Sequence, residues 1–333
     1  MTQHFKSILE LRDFLHKTDQ RSSLSALWNQ QNPGLYIWVA SSKCNQKSGR
    51  IMPLDLSSYI YRGQIQKYSP CVPNLFRKKQ SAVEKLIEYI KIAEFRMLCL
   101  THPGVKCCIQ SGLDVDFIAL AQHYGLNTNY LDLTQDIDIA CYFATSLLNE
   151  QGLYEPITNN RGCGIVYRVH HTHPDVMSRI VLVGKQPFVR PGKQKAWAIE
   201  MTDAEDFEEL GGIEIFTFDH TYDGSLRIWQ QFNEQLYPSD IMTIKAKAIR
   251  ESNTIYRGIL EGDFENFIQR KTNSSFSIQD FYKLINSQST FKLSDSPTVV
   301  FTSEELKSLS IEWEKFGKDF LRKVSTIFCA ESV

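Results

Sequence analysis

The amino-acid sequence predicts an α+β protein with a helical C-terminal region. Two observations carry this. Up to about residue 222, helical stripes and short β-type runs are mixed along the chain; after about 225 the pattern is helical. Hydrophobic residues make up 42% of the 333, enough to bury a sizeable core. The predicted division is a mixed domain over residues 1–235 and an all-helical region over 236–333.

The elements follow in order. Phe5, Ile8, Leu9, Leu11 and Leu15 form a helical stripe over Phe5 to His16. "GLYIWVA" at 34–40 reads as a buried strand, "QKSGR" as a turn and "SSYIYRG" as the next strand. Residues 68–80 hold two prolines and then the basic "FRKK", a solvated loop or a phosphate contact. Residues 81–100 are helical, and "HPG" at 102–104 ends that helix.

Asp114 or Asp116 can cap the helix "FIALAQHYG", with Gly125 just past its end. "LNTNYLDLT" is extended, with Thr134 placed to cap a helix over 135–148 that buries Ile137, Cys141, Ala144 and Leu148. "GCGIVYRV", "RIVLVG", "KAWAIEM" and "IEIFTFD" are β-type. The helical stretches that follow are "SLRIWQQFNEQL", "SDIMTIKAKAIRE", "DFENFIQR", "SIQDFYKLI" and "TSEELKSLSIEWEKFGKDFLRKV", the last opening on Thr302/Ser303 with Glu305 as a capping box. A second "YRG" at 256–258 falls in a helical context.

Charge and composition exclude several classes. With 37 basic and 38 acidic residues, no global field draws the chain to nucleic acid or an anionic membrane. No stretch approaches the roughly 18 apolar residues of a membrane span, and the acid-bearing N-terminus is not a secretory signal. The eight cysteines show no CxxC pair, so they read as reduced thiols in a cytoplasmic protein. "HHTH" at 170–173 lacks metal-ligand spacing, and no phosphate-binding Gly-rich loop is present.

Four stretches carry chemistry: "YRGQ" at 61–64, "LAQHYGLNTNYLDLT" at 120–134, "IDIACYFA" at 137–144 and "RPGKQKAWAI" at 190–199. Arg62 before Gly63 offers a forked cation beside open backbone, suited to a diphosphate. The plainer reading is a salt-bridged arginine beside a turn glycine. His123, at a helix end, is a general acid/base or the partner of a carbonyl. Tyr142, five residues after Ile137, leaves the apolar face and can stack on a flat ring, or it packs on the sheet. Gln194 can hydrogen-bond a sugar hydroxyl.

In this order the stretches resemble the FRG domain family over roughly residues 55–235. Tyr61 stands where that family has Phe. The central motif departs from the family at Asn127, Asn129, Tyr130 and Leu133, and keeps His123, Gly125, Asp132 and Thr134. The family's motif order is similar to that of ADP-ribosyltransferases. The resemblance therefore implies a split β-sheet core with flanking helices. It implies NAD⁺ bound by Tyr61, Arg62, Gly63, Gln64, Asp132, Thr134 and Tyr142, with Arg62, Tyr142, Gln194 and His123 as catalytic residues. Gln194 cannot act as a base, which leaves that role to His123, Asp132 or a nucleophilic acceptor.

The function expected from this resemblance is an NAD-dependent ADP-ribosyltransferase of the bacterial toxin or anti-phage defence kind. It would modify a nucleic-acid base or a protein, with an antitoxin or regulatory protein as a further partner and no membrane. The alternatives are an NAD⁺ glycohydrolase and a non-catalytic module binding nucleotide or nucleic acid.

Overall fold

A computed structural model describes residues 2–19, 36–40, 49–53, 59–78, 80–149, 154–158, 162–184, 186–238, 240–263, 268, 277–287, 291–322 and 324–325. The elements in chain order begin with β1 (Thr2–Phe5), α1 (Ile8–Thr18), β2 (Tyr36–Ala40), β3 (Gly49–Pro53) and β4 (Tyr59–Gln64). Then come α2 (Asn74–Arg77), α3 (Ala82–Thr101), α4 (Pro103–Gln110), α5 (Phe117–His123), β5 (Tyr130–Thr134) and α6 (Ile137–Thr145). Next are β6 (Ser146–Leu148), β7 (Tyr154–Pro156), β8 (Cys163–His170), α7 (Pro174–Met177), β9 (Ile180–Leu182), α8 (Val189–Lys193), β10 (Ala196–Glu200) and β11 (Ile213–Asp219). The remainder are α9 (Tyr222–Phe232), α10 (Ile241–Glu251), β12 (Thr254–Tyr256), α11 (Arg257–Asp263), α12 (Ile278–Ser287), β13 (Lys292–Ser294), α13 (Ser303–Arg322) and β14 (Val324–Ser325). The α+β class expected from sequence is the class observed.

The chain folds as two compact units, each built from separate stretches. The first comprises residues 1–72, 131–238 and 320–333, the second 73–130 and 239–319.

In the first unit, seven strands form one mixed sheet in the order β1-β11-β8-β4-β5-β10-β9. β4 runs antiparallel to β8 along its whole length, from Tyr59 opposite His170 to Gln64 opposite Ile165. Its other edge meets β5 at a single pair, Tyr61 opposite Thr134. The sheet is thus continuous on one side of β4 and barely joined on the other.

Side chains alternate across the sheet. Tyr61, Val166, Phe216 and Phe218 face one way, into a core with Ile8, Leu11 and Leu15 of α1 and Ile137 and Ala140 of α6. Gly63 lies on the same face, where α6 presses against the strand. A Cβ there would lie 1.8 Å from the Ala140 carbonyl oxygen, so only glycine allows this helix–strand approach. Arg168 crosses the same face, with bonds of 2.6 and 3.0 Å to the two Glu214 oxygens.

Several expectations are corrected here. Phe5 closes strand β1, which pairs in parallel with β11; α1 starts after it, capped by Ser7. The helix predicted over 135–148 is shorter, Ile137–Thr145, and is capped by Asp136. Thr134 lies two residues before that cap: its hydroxyl donates to the Gln194 carbonyl and its oxygen accepts from the Asp136 amide at 3.2 Å. Leu148 lies in β6 and is 57% exposed.

In the second unit, α3 opens on a full capping box between Ser81 and Glu84. α5 is capped by Asp116, and Gly125 follows its end at φ 87°. Thr302 and Glu305 form the predicted box before α13. The C-terminal region is not all helical: β12 and β13 pair in parallel, Thr254 opposite Lys292 to Tyr256 opposite Ser294. The second "YRG" therefore straddles a strand end and a helix start. Its extended part is held by Glu94, whose carboxylate accepts from the Tyr256 amide at 3.0 Å. Most of the predicted stretch "DFENFIQR" lies outside the described residues. No helix is long and apolar enough to cross a membrane among the described residues.

Candidate functional site

β4, β5 and β10 are neighbours in the sheet. They carry Arg62 on β4, Thr134 at the end of β5 and Gln194 in the turn that enters β10. Arg62 donates from an NH1 nitrogen to the main-chain oxygen of Asp132 at 2.6 Å. The bond bridges the edge at which β4 and β5 have parted. Thr134 donates from its hydroxyl to the Gln194 carbonyl at 2.8 Å. Gln194 closes helix α8 and donates from its side-chain amide to the Leu236 carbonyl at 2.8 Å.

The same corner carries further ties. The Gln135 amide donates to the Lys195 carbonyl at 3.1 Å. The Lys195 ammonium meets Asp136 at 2.6 Å. Lys195 holds φ at 44°, a left-handed conformation that costs a non-glycine residue free energy. Asp136 and Lys195 escape the motif reading. Their only signal in sequence is a carboxylate two residues after Thr134 and a lysine next to Gln194.

Arg62 differs from its structural neighbour Arg168. Both are half-buried or buried on adjacent strands, but Arg168 is neutralised by Glu214 with its ring neighbours Tyr59 and Phe216 beneath it. Among the described residues Arg62 is paired with no carboxylate, and its Nε–H is buried without a hydrogen-bond partner. A guanidinium so placed retains donors for an anion.

The predicted cofactor residues divide between the two faces of the sheet. Tyr61 is fully buried in the core beside α6. Burial, together with the nearby Asp19 carboxylate, pushes its hydroxyl far above the ordinary tyrosine range. Gly63 is explained by the approach of α6 rather than by a ligand. Arg62 and Gln64 face the other way, opposite Tyr167 and Ile165 of β8. Gln64 is buried 3.8 Å from the Cys71 sulfur. Asp132 is half-buried beside Arg62.

Tyr142 does not leave the apolar face. It is 1% exposed, with the rings of Phe232 and Phe143 set edgewise at 5.8 and 6.0 Å and Tyr154 tilted at 6.2 Å. Tyr154 in turn stacks on Tyr237 at 4.3 Å, and Arg190 lies over the Tyr237 ring at 4.9 Å. The five-residue step from Ile137 does turn Tyr142 away from its helix's first apolar stripe, but α9 and the segment after it cover that side as well.

His123 ends α5 in the second unit and is buried. Its ring meets Tyr124 edgewise at 6.1 Å. The rest of that motif builds a turn: Thr128 donates to Gln122 at 2.7 Å and accepts from the Tyr130 amide at 3.1 Å.

The FRG domain family model matches residues 57–152. Residues 57–152 are an FRG domain. No curated protein and no solved structure matches the chain. The FRG domain includes Arg62, His123, Asp132, Thr134 and Tyr142 and draws on both units. Gln194, which Thr134 of the FRG domain holds by its carbonyl, lies outside the matched span.

Proposed function

We propose that this FRG-domain protein is an NAD⁺-dependent ADP-ribosyltransferase whose acceptor is a macromolecule, a nucleic-acid base or a protein. One observation carries the reading. Arg62, Thr134 and Gln194, far apart in sequence, lie on neighbouring elements of one sheet, where Arg62 bonds the Asp132 carbonyl and Thr134 the Gln194 carbonyl. Their order along the chain is the motif order by which the sequence resembles ADP-ribosyltransferases. The single-pair junction between β4 and β5 supports the split-sheet form of that fold.

The residues suit the chemistry. Arg62 holds the diphosphate with its remaining donors. The bond between ribose C1′ and the nicotinamide nitrogen breaks, and its electron pair leaves with the ring, which becomes neutral. No acid is needed to expel such a leaving group. The ribose passes through an oxocarbenium-like state. With its amide nitrogen committed to Leu236, Gln194 presents its oxygen as the acceptor for a ribose hydroxyl. The acceptor nucleophile then bonds C1′ and loses its proton. Asp132 is the side chain assigned to that proton. Tyr142, enclosed by rings, acts by fixing α6 rather than by stacking on nicotinamide.

The test uses NAD⁺ labelled on the adenylate, incubated with the protein and a cell extract, with nicotinamide release and macromolecular label followed separately. Label lost on protease or on nuclease treatment identifies a protein or a nucleic-acid acceptor, and Gln194→Ala is expected to lower release about 100-fold. Release without label means that water is the acceptor. No release under any extract overturns the enzymatic reading and leaves a binding module.

A further inference from the structure

The edge of the first unit's sheet carries a second group of side chains. β1, β11 and β8 are consecutive strands. Their registers place His4 beside Thr217 and Asp219 opposite Cys163. Because side chains alternate, His4, Thr217, Asp219 and Cys163 all emerge on the face opposite the Phe5, Phe216 and Phe218 core. The ligand atoms of His4, Cys163 and Asp219 lie within 4.8 Å of one another.

We propose that His4, Cys163 and Asp219 form a zinc site. Two of the three separations already suit one. Tetrahedral zinc with bonds of about 2.0–2.3 Å holds its ligand atoms about 3.3–3.6 Å apart. His4 Nε2 is 3.5 Å from Asp219 Oδ1, and Cys163 Sγ is 3.6 Å from the same oxygen. The second ring nitrogen, His4 Nδ1, is 3.0 Å from the Thr217 hydroxyl. That bond orients the ring and leaves Nε2 for the cation, as partners behind metal-bound histidines do. Strand residues supply all the ligands, so the geometry is fixed by the sheet rather than by a loop.

Charge decides the class of cation. Neutral imidazole, thiolate and carboxylate together carry two negative charges and balance a divalent ion. The mixed nitrogen, sulfur and oxygen set favours zinc over magnesium or calcium. Without metal the thiol donates to Asp219. Binding breaks the S–H bond, forms a sulfur–metal bond and releases the proton to solvent. Three protein ligands leave a fourth position for water or a substrate atom.

The site is tested with the full chain carrying no N-terminal tag, after chelator treatment, by titration with Co²⁺ as a spectroscopic substitute and Zn²⁺ in competition. The expected result is a thiolate-to-cobalt charge-transfer band that saturates at one equivalent and is abolished by zinc. Cys163→Ser should remove it, and His4→Asn and Thr217→Val should each weaken binding about 10-fold or more. All of these positions are at the surface of the sheet, and circular dichroism checks that each variant is folded. Absence of the band, or its persistence in folded Cys163→Ser, overturns the proposal.

Discussion

The guanidinium of Arg62 donates to the main-chain oxygen of Asp132 at 2.6 Å, across the edge where β4 and β5 have separated. The side chain thus stands in for a ladder hydrogen bond while keeping donors for an anion. Arg62→Ala is expected to lose about 1–3 kcal/mol of stability through loss of the charged hydrogen bond to the Asp132 carbonyl. Arg62→Lys should recover much of that stability but not anion binding, since an ammonium lacks the fork. Urea unfolding and nucleotide binding, measured on both variants, separate the two roles.

Gly63→Ala should be worse for folding than its size suggests. The added methyl would meet the Ala140 carbonyl at 1.8 Å and the Ala144 amide nitrogen at 2.8 Å, both main-chain atoms. Relief requires moving α6 off β4. A loss of about 1–3 kcal/mol or more is expected, read as a lower urea midpoint at unchanged slope. A wild-type midpoint would show that α6 can shift freely.

Two buried groups of the second unit give opposing pH dependence. Glu94 is pushed up to about 7 by burial, against the bond from Tyr256. Its folded form binds the extra proton between about 4.5 and 7, so its contribution to stability falls as pH rises through that window. Burial pushes His102 down to about 4. The unfolded chain binds that proton more readily, so its contribution is lost as pH falls from about 6.5 toward 4. The two slopes offset each other between about 4.5 and 6.5. Glu94→Gln, which keeps the oxygen that Tyr256 bonds, should abolish the decline near pH 7 and leave the acid limb. His102→Asn should do the reverse. Unfolding curves across this range for the three proteins decide it, and parallel curves would refute both assignments.

The capping box at Ser81 gives a smaller effect. Its hydroxyl accepts from the Glu84 amide at 3.3 Å, and Glu84 accepts from the Ser81 amide at 2.8 Å. Ser81→Ala should cost about 1 kcal/mol, with a matching fall in melting temperature. Ser81→Asp should restore it.

Local chemistry was legible in the sequence wherever a short segment decides its own structure. The Asp116 cap, one of two aspartates the sequence offered, the left-handed Gly125 and the Thr302–Glu305 box depend on neighbours three or four residues away, and spacing reveals them. The motif residues Arg62 and Thr134 fall within the span that the FRG family model matches, and Gln194 outside it. Their order along the chain determined the FRG resemblance before any contact was known. What only tertiary structure decided is which face each one serves. Periodicity turned Tyr142 away from one apolar stripe but could not show that Phe232 and Tyr154 cover its other side. Gly63 read as space for a ligand, and the approach of α6 claims that space instead. Thr134 sat near the helix start, but Asp136 caps α6, and the Thr134 hydroxyl turns to a carbonyl sixty residues later. Likewise His4, Cys163 and Asp219 share no motif. Strand register alone sets them within bonding reach of one cation, because pairing between strands is fixed by the whole sheet and not by any one of them.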